Sequence, residues 1–176
     1  SDVCSSDLRT YKFINSYLDK ENKYSAILSI LKRDVPNIKG IKVGEKIIKS
    51  DNFLEEIPKV LLSLNNSYLY IQGPPGSGKT YQAGNAIIEL IKAGKKVGIS
   101  ANSHKVIHNV IARVERWAEE KKIKFKGIKA GRLTDEESIY NSKYVKTSSR
   151  APEFKTALKD GTLLFAGTKF HFASGH

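Results

Sequence analysis

From residue 67 onward the chain alternates short apolar runs with longer stretches in which apolar residues recur every three or four positions. That alternation predicts βαβ units built around a parallel sheet. YLYIQ at 68–72 reads as the first strand, and residues 79–93 read as a helix with Ala83, Ile87, Ile88 and Ile91 on one face. AGK at 93–95 supplies a glycine stop. VGISA at 97–101 is short and apolar, as a buried parallel strand should be. Residues 104–121 carry Ile107, Val110, Ile111, Val114, Trp117 and Ala118 at helical spacing, which assigns Trp117 to a core stripe rather than a base-stacking platform. Residues 123–129 alternate apolar side chains with lysine and predict a half-exposed strand. Residues 130–150 lose all periodicity and read as an inserted loop, 151–158 as a short helix, and TLLFAGT at 162–168 as a return to a buried strand.

The text before residue 67 is different. Between residues 11 and 34, Tyr24, Ile27, Leu28 and Leu31 mark one face of a short amphipathic helix, which Pro36 and Gly40 end. Leu54, Ile57, Leu61, Leu62 and Leu64 suggest another, with Pro58 either near its start or kinking it. The expected layout is therefore a helical N-terminal extension or linker over 9–66 and a partial α/β domain over 67–176. SDVCSSDL at 1–8 resembles the translation of a sequencing adapter and is set apart as an artefact.

Composition narrows the function classes. The lone cysteine, Cys4, rules out a disulfide framework or thiolate metal site built from this chain. The opening residues lack the pattern of a secretory signal and no run of about 18 apolar residues occurs, so no membrane association is expected and a cytoplasmic location is. The net charge of +12 is uneven: residues 1–66 hold 11 Lys and Arg against 9 Asp and Glu, and the remainder holds 19 against 9. A basic excess on that scale fits a solvated lysine-rich surface as well as attraction to a polyanion. Charge leaves the two open.

Candidate chemistry is concentrated in GPPGSGKT at 73–80, which matches G-x-x-x-x-G-K-[ST] at every fixed position between a predicted strand and a predicted helix. In such a phosphate loop, Gly73, Pro74, Pro75, Gly76, Ser77 and Gly78 would aim successive N–H groups inward as an anion nest, extended by the helix dipole. Lys79 would reach the β- and γ-phosphates of ATP, Thr80 would place its hydroxyl on Mg²⁺, and Tyr81 completes the nucleotide-binding set. Lys79 and Thr80 are the candidate catalytic residues, with Thr80 the metal ligand. His104 and His108 sit four apart on a helix, a spacing compatible with a metal but without an evident third ligand.

The stretch YIQGPPGSGKTYQAGNAIIELIKAGKKVGISANSHKVIHNV resembles superfamily 1 helicases of the Upf-like branch, above all bacterial proteins that join a RecB-like nuclease half to such a motor. AILSILKRDVPNIKGIKVGEKII resembles the join before the motor in that group. The likeness implies a P-loop NTPase with a RecA-like parallel sheet flanked by helices, incomplete here, together with single-stranded DNA or RNA as partner and a nuclease domain in the same polypeptide. It also implies that Ser100, Asn102, Ser103 and His104, within SANSH, touch the strand backbone; on physical grounds alone, Asn102 or Ser103 reads as a helix N-cap. The family's Asp-Glu motif would lie shortly beyond the strand matching TLLFAGT, so the chain is expected to be an inactive fragment of the first motor domain. Glu119, Glu120, Glu136 and Glu137 read as solvated. The family's adenine-reading glutamine has no match, since Gln72 and Gln82 are elsewhere, and base selectivity stays open. Two alternatives share the loop: a small P-loop kinase, and a module that holds a triphosphate without hydrolysing it. Oligomeric state is not legible.

Overall fold

The computed structural model describes residues 5–20 and 23–173, so Cys4 and His176 lie outside the described residues. The chain divides into two compact units, Ser1–Lys79 and Thr80–His176.

In the first unit, α1 (Ser5–Leu18), α2 (Ser25–Lys32) and α3 (Phe53–Leu62) surround long irregular stretches. The amphipathic stretch thus forms two helices, and α1 begins inside the octet set apart above. The turn at Asn66 takes a φ of 47°, and residues 63–65 just before it pair with residues 37–39. Ile38 bridges Leu64, Lys39 N–H donates to Ser63 O at 2.9 Å and Asn65 N–H to Asn37 O at 3.0 Å. Ile38, Ile57, Pro58 and Val60 are buried. Pro58 sits inside α3, which starts five residues ahead of it at Phe53.

The predicted strand at 68–72 is not formed. An apolar pentapeptide becomes a strand only where a neighbour completes its ladder, and this one is fastened by side chains instead. Asn37 N–H donates to Ser67 Oγ at 2.8 Å, and Tyr68 Oη donates to Asp34 O at 2.7 Å. Tyr70 and Ile71 are exposed.

The second unit is α/β. Four strands, β1 (Val97–Ala101), β2 (Gly127–Ala130), β3 (Val145–Ser148) and β4 (Leu164–Thr168), form an all-parallel sheet in the order β1-β4-β2-β3. Helices flank it: α4 (Lys79–Lys92), α5 (His104–Glu120), α6 (Ala151–Ala157) and α7 (Lys169–Ala173). Side chains alternate across the pleat. Ile128, Ala130 and Phe165 join Phe154 and Ala157 of α6 in one core cluster. Lys129, Leu164 and Ala166, all without exposed surface, therefore belong to the opposite face. The stripe on α5 is buried at Ile107, Ile111, Val114, Trp117 and Ala118. Ser103 caps α5, its Oγ accepting from Val106 N–H at 3.4 Å. Gly94, at φ 72°, ends α4 as the sequence predicts, with Gly94 N–H donating to Ile91 O and Lys95 N–H to Leu90 O, both at 2.9 Å. Trp117 is core, and its Nε1 donates to Tyr81 O at 3.0 Å.

Three sequence expectations need correction here. The strand at 97–101, expected to be buried, ends the sheet order among the described residues and exposes Gly98 and Ser100, with Ile99 alone buried. The loop at 130–150 contains the 3₁₀ turn Glu136–Ser138 and the strand β3. That strand has four residues with one apolar side chain, too short to show a period. The lysine of β2 is not on an exposed side: a strand covered on both faces buries every residue, and Lys129 goes with the rest. Among the described residues no helix is long and apolar enough to cross a membrane.

Candidate functional site

The glycine-rich loop lies in the first unit up to Lys79. Gly76 and Gly78 have φ of 80° and 77°, angles that a side chain would strain, and Ser77 N–H closes a turn on Pro74 O at 3.3 Å. A Cβ on Gly73 would meet Ser77 Oγ at 2.8 Å, so the loop folds back closely on its first residue. Lys79 Nζ donates to Gly73 O at 2.7 Å, Pro74 O at 2.6 Å and Ser77 Oγ at 3.3 Å. The ammonium is thus held at the mouth of the loop by acceptors that phosphate oxygens could replace, which fits a triphosphate. Pro74, Pro75, Gly76, Ser77 and Gly78 are exposed. Thr80 and Tyr81 follow as the next residues of α4, both exposed. The Tyr81 ring packs 4.8 Å from that of Trp117, with the Arg113 guanidinium 5.5 Å from its centre.

The second candidate lies wholly in the second unit. A cleft of about 650 Å³ opens at the carboxyl ends of the strands, where parallel α/β sheets generally bind ligands. Asn102, Ser103 and His104 line it after β1, Arg132 and Asp135 after β2, Ser148 and Ser149 at the end of β3, and Thr168 and His171 at the end of β4. Three of the four predicted strand contacts are thereby brought together. Ser100 is exposed on β1 and does not line the cleft. Arg132, Ser148, Ser149, Thr168 and His171 carry no motif, and only the sheet order gathers them.

Behind the cleft lies a buried polar cluster. Lys129 Nζ donates to Ala130 O at 3.1 Å and to Ser138 O, and lies 3.2 Å from His104 Nδ1. Burial pushes the Lys129 ammonium down to about 8, with Asp135 opposing. His104 is lowered by burial and then by Lys129, against Asp135 and Glu137; His108 is lowered by burial, Lys129 and His104. At neutral pH His104 Nδ1 is therefore the acceptor of a Lys129 N–H, and its proton sits on Nε2. His108 Nε2 is enclosed and makes no hydrogen bond among the described residues, and the ring lies 5.1 Å from Tyr140. Tyr140 Oη donates to Glu115 Oε2 at 2.8 Å, and Ser142 Oγ donates to Glu115 Oε1. Burial and the Glu115 carboxylate push the phenol well above its usual range.

The loop at 131–138 is folded tightly onto the strand end. A Cβ on Gly131 would meet Ser138 O at 2.4 Å. Ser138, without exposed surface, accepts at Oγ from Arg132 N–H at 2.8 Å and donates to Arg132 O at 2.7 Å or Asp135 O at 2.9 Å. His104 and His108 ring centres are 6.3 Å apart, and no group of three metal-type ligands occurs among the described residues.

Comparison with protein-family models, with curated proteins and with solved structures finds no match for this chain.

Proposed function

We propose that this chain is the ATP-binding part of a nucleic acid helicase or translocase motor, a P-loop NTPase with a RecA-like sheet that couples ATP hydrolysis to movement on single-stranded DNA or RNA in the intact protein. The observation that carries the reading is the loop GPPGSGKT ahead of α4, with Gly76 and Gly78 at positive φ and the Lys79 ammonium held over the loop carbonyls. Its backbone N–H groups and Lys79 would bind the phosphates of ATP, and the Thr80 hydroxyl would ligate Mg²⁺. The metal would neutralise phosphate charge. Asn102, Ser103 and His104 would offer neutral donors and a helix N-terminus to a phosphodiester backbone, and the cleft they line supports that part of the reading. Ser100 is carried only by the resemblance.

The test is equilibrium binding of a fluorescent ATP analogue with Mg²⁺. Lys79→Ala is expected to weaken it more than tenfold, and binding indifferent to Lys79 would sink the nucleotide reading. No strand of the second unit ends on a carboxylate, so the chain alone is expected to turn ATP over negligibly. Nucleic-acid-stimulated phosphate release, measured where this chain is joined to a carboxylate-bearing motif, would support the motor. Unstimulated phosphoryl transfer to a small acceptor would favour a kinase instead.

A further inference from the structure

A lysine without exposed surface and, among the described residues, without a carboxylate in hydrogen-bonding range is an expensive residue to keep in a sheet, since an apolar side chain would pack there at no desolvation cost. Its three contacts show what it does. Ala130 O belongs to its own strand end, Ser138 O to the end of the loop at 131–138, and His104 Nδ1 to the first turn of α5. We infer that Lys129 is a positioning residue, whose buried ammonium bolts the Arg132-bearing loop and the His104-bearing helix start together as two walls of one anion-binding cleft. The proposal concerns the walls themselves and rests on the nucleic acid reading only for the identity of the ligand.

Arg132 gains most from this arrangement. Its side chain is exposed at the cleft, while its backbone N–H donates to Ser138 Oγ and its carbonyl lies within reach of the same hydroxyl. A guanidinium on a fixed backbone binds phosphate with less ordering than one on a loose loop. Gly131 permits the close approach, and Ser138 ties the knot that Lys129 holds from below.

The bolt works in a bounded pH range. The groups facing it are His104 and His108 from α5 and Asp135 and Glu137 from the loop, with Tyr140 and Glu115 beyond His108. Protonation of His104 turns Nδ1 from acceptor to donor beside an ammonium, and the contact is lost. Loss of a proton from Lys129 leaves two N–H groups for three acceptors.

Long-range ¹H–¹⁵N NMR of the full chain reads the His104 ring directly. We expect the Nε2–H tautomer at pH 7, a titration midpoint below that of an ordinary imidazole, and loss of hydrogen-exchange protection at Arg132 N–H in step with protonation. Lys129→Met, checked for a cooperative thermal transition, should raise the His104 midpoint and lower Arg132 protection at every pH. His104→Asn, which keeps an acceptor that does not titrate, should retain the protection and abolish the pH step, so the inference stays testable where the methionine variant does not fold. An ordinary His104 midpoint in the wild type, or Arg132 protection that ignores its protonation, overturns the bolt. Anisotropy with a labelled oligothymidylate then tests the cleft: Lys129→Met and Arg132→Ala are each expected to weaken binding at least tenfold. Tight oligonucleotide binding by Lys129→Met with the bolt gone overturns the positioning role. A wild-type chain with the bolt intact that binds the ATP analogue but no oligonucleotide overturns the nucleic acid reading and leaves the bolt standing.

Discussion

At the scale of residues, Lys129 gives up the hydration that a surface lysine keeps, and two carbonyls and an imidazole stand in for water. The replacement is incomplete, because its ammonium is pushed down to about 8. Below that pH the folded and unfolded chains both carry the proton, and the full cost of burying it is present. Between about 8 and the ordinary lysine value the unfolded chain alone stays charged, so it binds more protons and stability rises with pH. The rise attributable to this residue is about 3 kcal/mol. Urea denaturation at pH 7.5 and pH 10 should therefore show the wild type gaining stability on a slope that Lys129→Met lacks, and parallel profiles for the two proteins would contradict the assignment.

At the scale of elements, close approach substitutes for size. The loop at 131–138 reaches the strand end because Gly131 has no side chain, and the atom a Cβ would strike is the backbone oxygen of Ser138, which cannot swing away. Gly131→Ala is accordingly expected to cost about 1–3 kcal/mol in thermal or chemical denaturation and to release the loop. An unchanged melting profile would mean that the loop relaxes freely. The β1 strand, α4, α5 and β4 were legible because each carries an apolar alternation or run, a glycine stop or a capping serine. The four-residue β3 was not, because Val145 is its single apolar position; the 68–72 run had a strand's composition but no ladder in which to use it. Asn102, Ser103 and His104 were visible through their motif, whereas Arg132, Ser148, Ser149 and Thr168 are gathered only by a strand order that places β4 between β1 and β2. The burial of Lys129 is not legible in the sequence, because alternation with apolar residues looks the same whether one face of a strand is covered or both.

At the scale of the whole molecule, the net charge of +12 is spread over the entire chain, while only cations that reach the bound strand release its counterions. Several lysines are already engaged: Lys121 with Glu89, Lys126 with Asp160 and Lys143 with Glu119. Binding to single strands should depend on salt through a small set of cations rather than through the whole excess. Each phosphate contact contributes about −0.7 to the slope of log K against log salt, so Arg132→Ala is expected to flatten the oligothymidylate slope by about that amount. Loss of affinity with an unaltered slope would show that Arg132 shapes the cleft without touching phosphate. The sheet, for its part, has unlike borders. At β3, Asn141 Oδ1 accepts from Thr147 N–H and Ser142 N–H donates to Val145 O, so backbone groups of the outermost strand are taken by their own connecting loop. At the other end of the order, β1 bonds β4 and no other strand among the described residues. Within the second unit, the outer ladder of β1 is thus the one that its own loop does not occupy among the described residues, and a strand added to this sheet would pair there more readily than at β3.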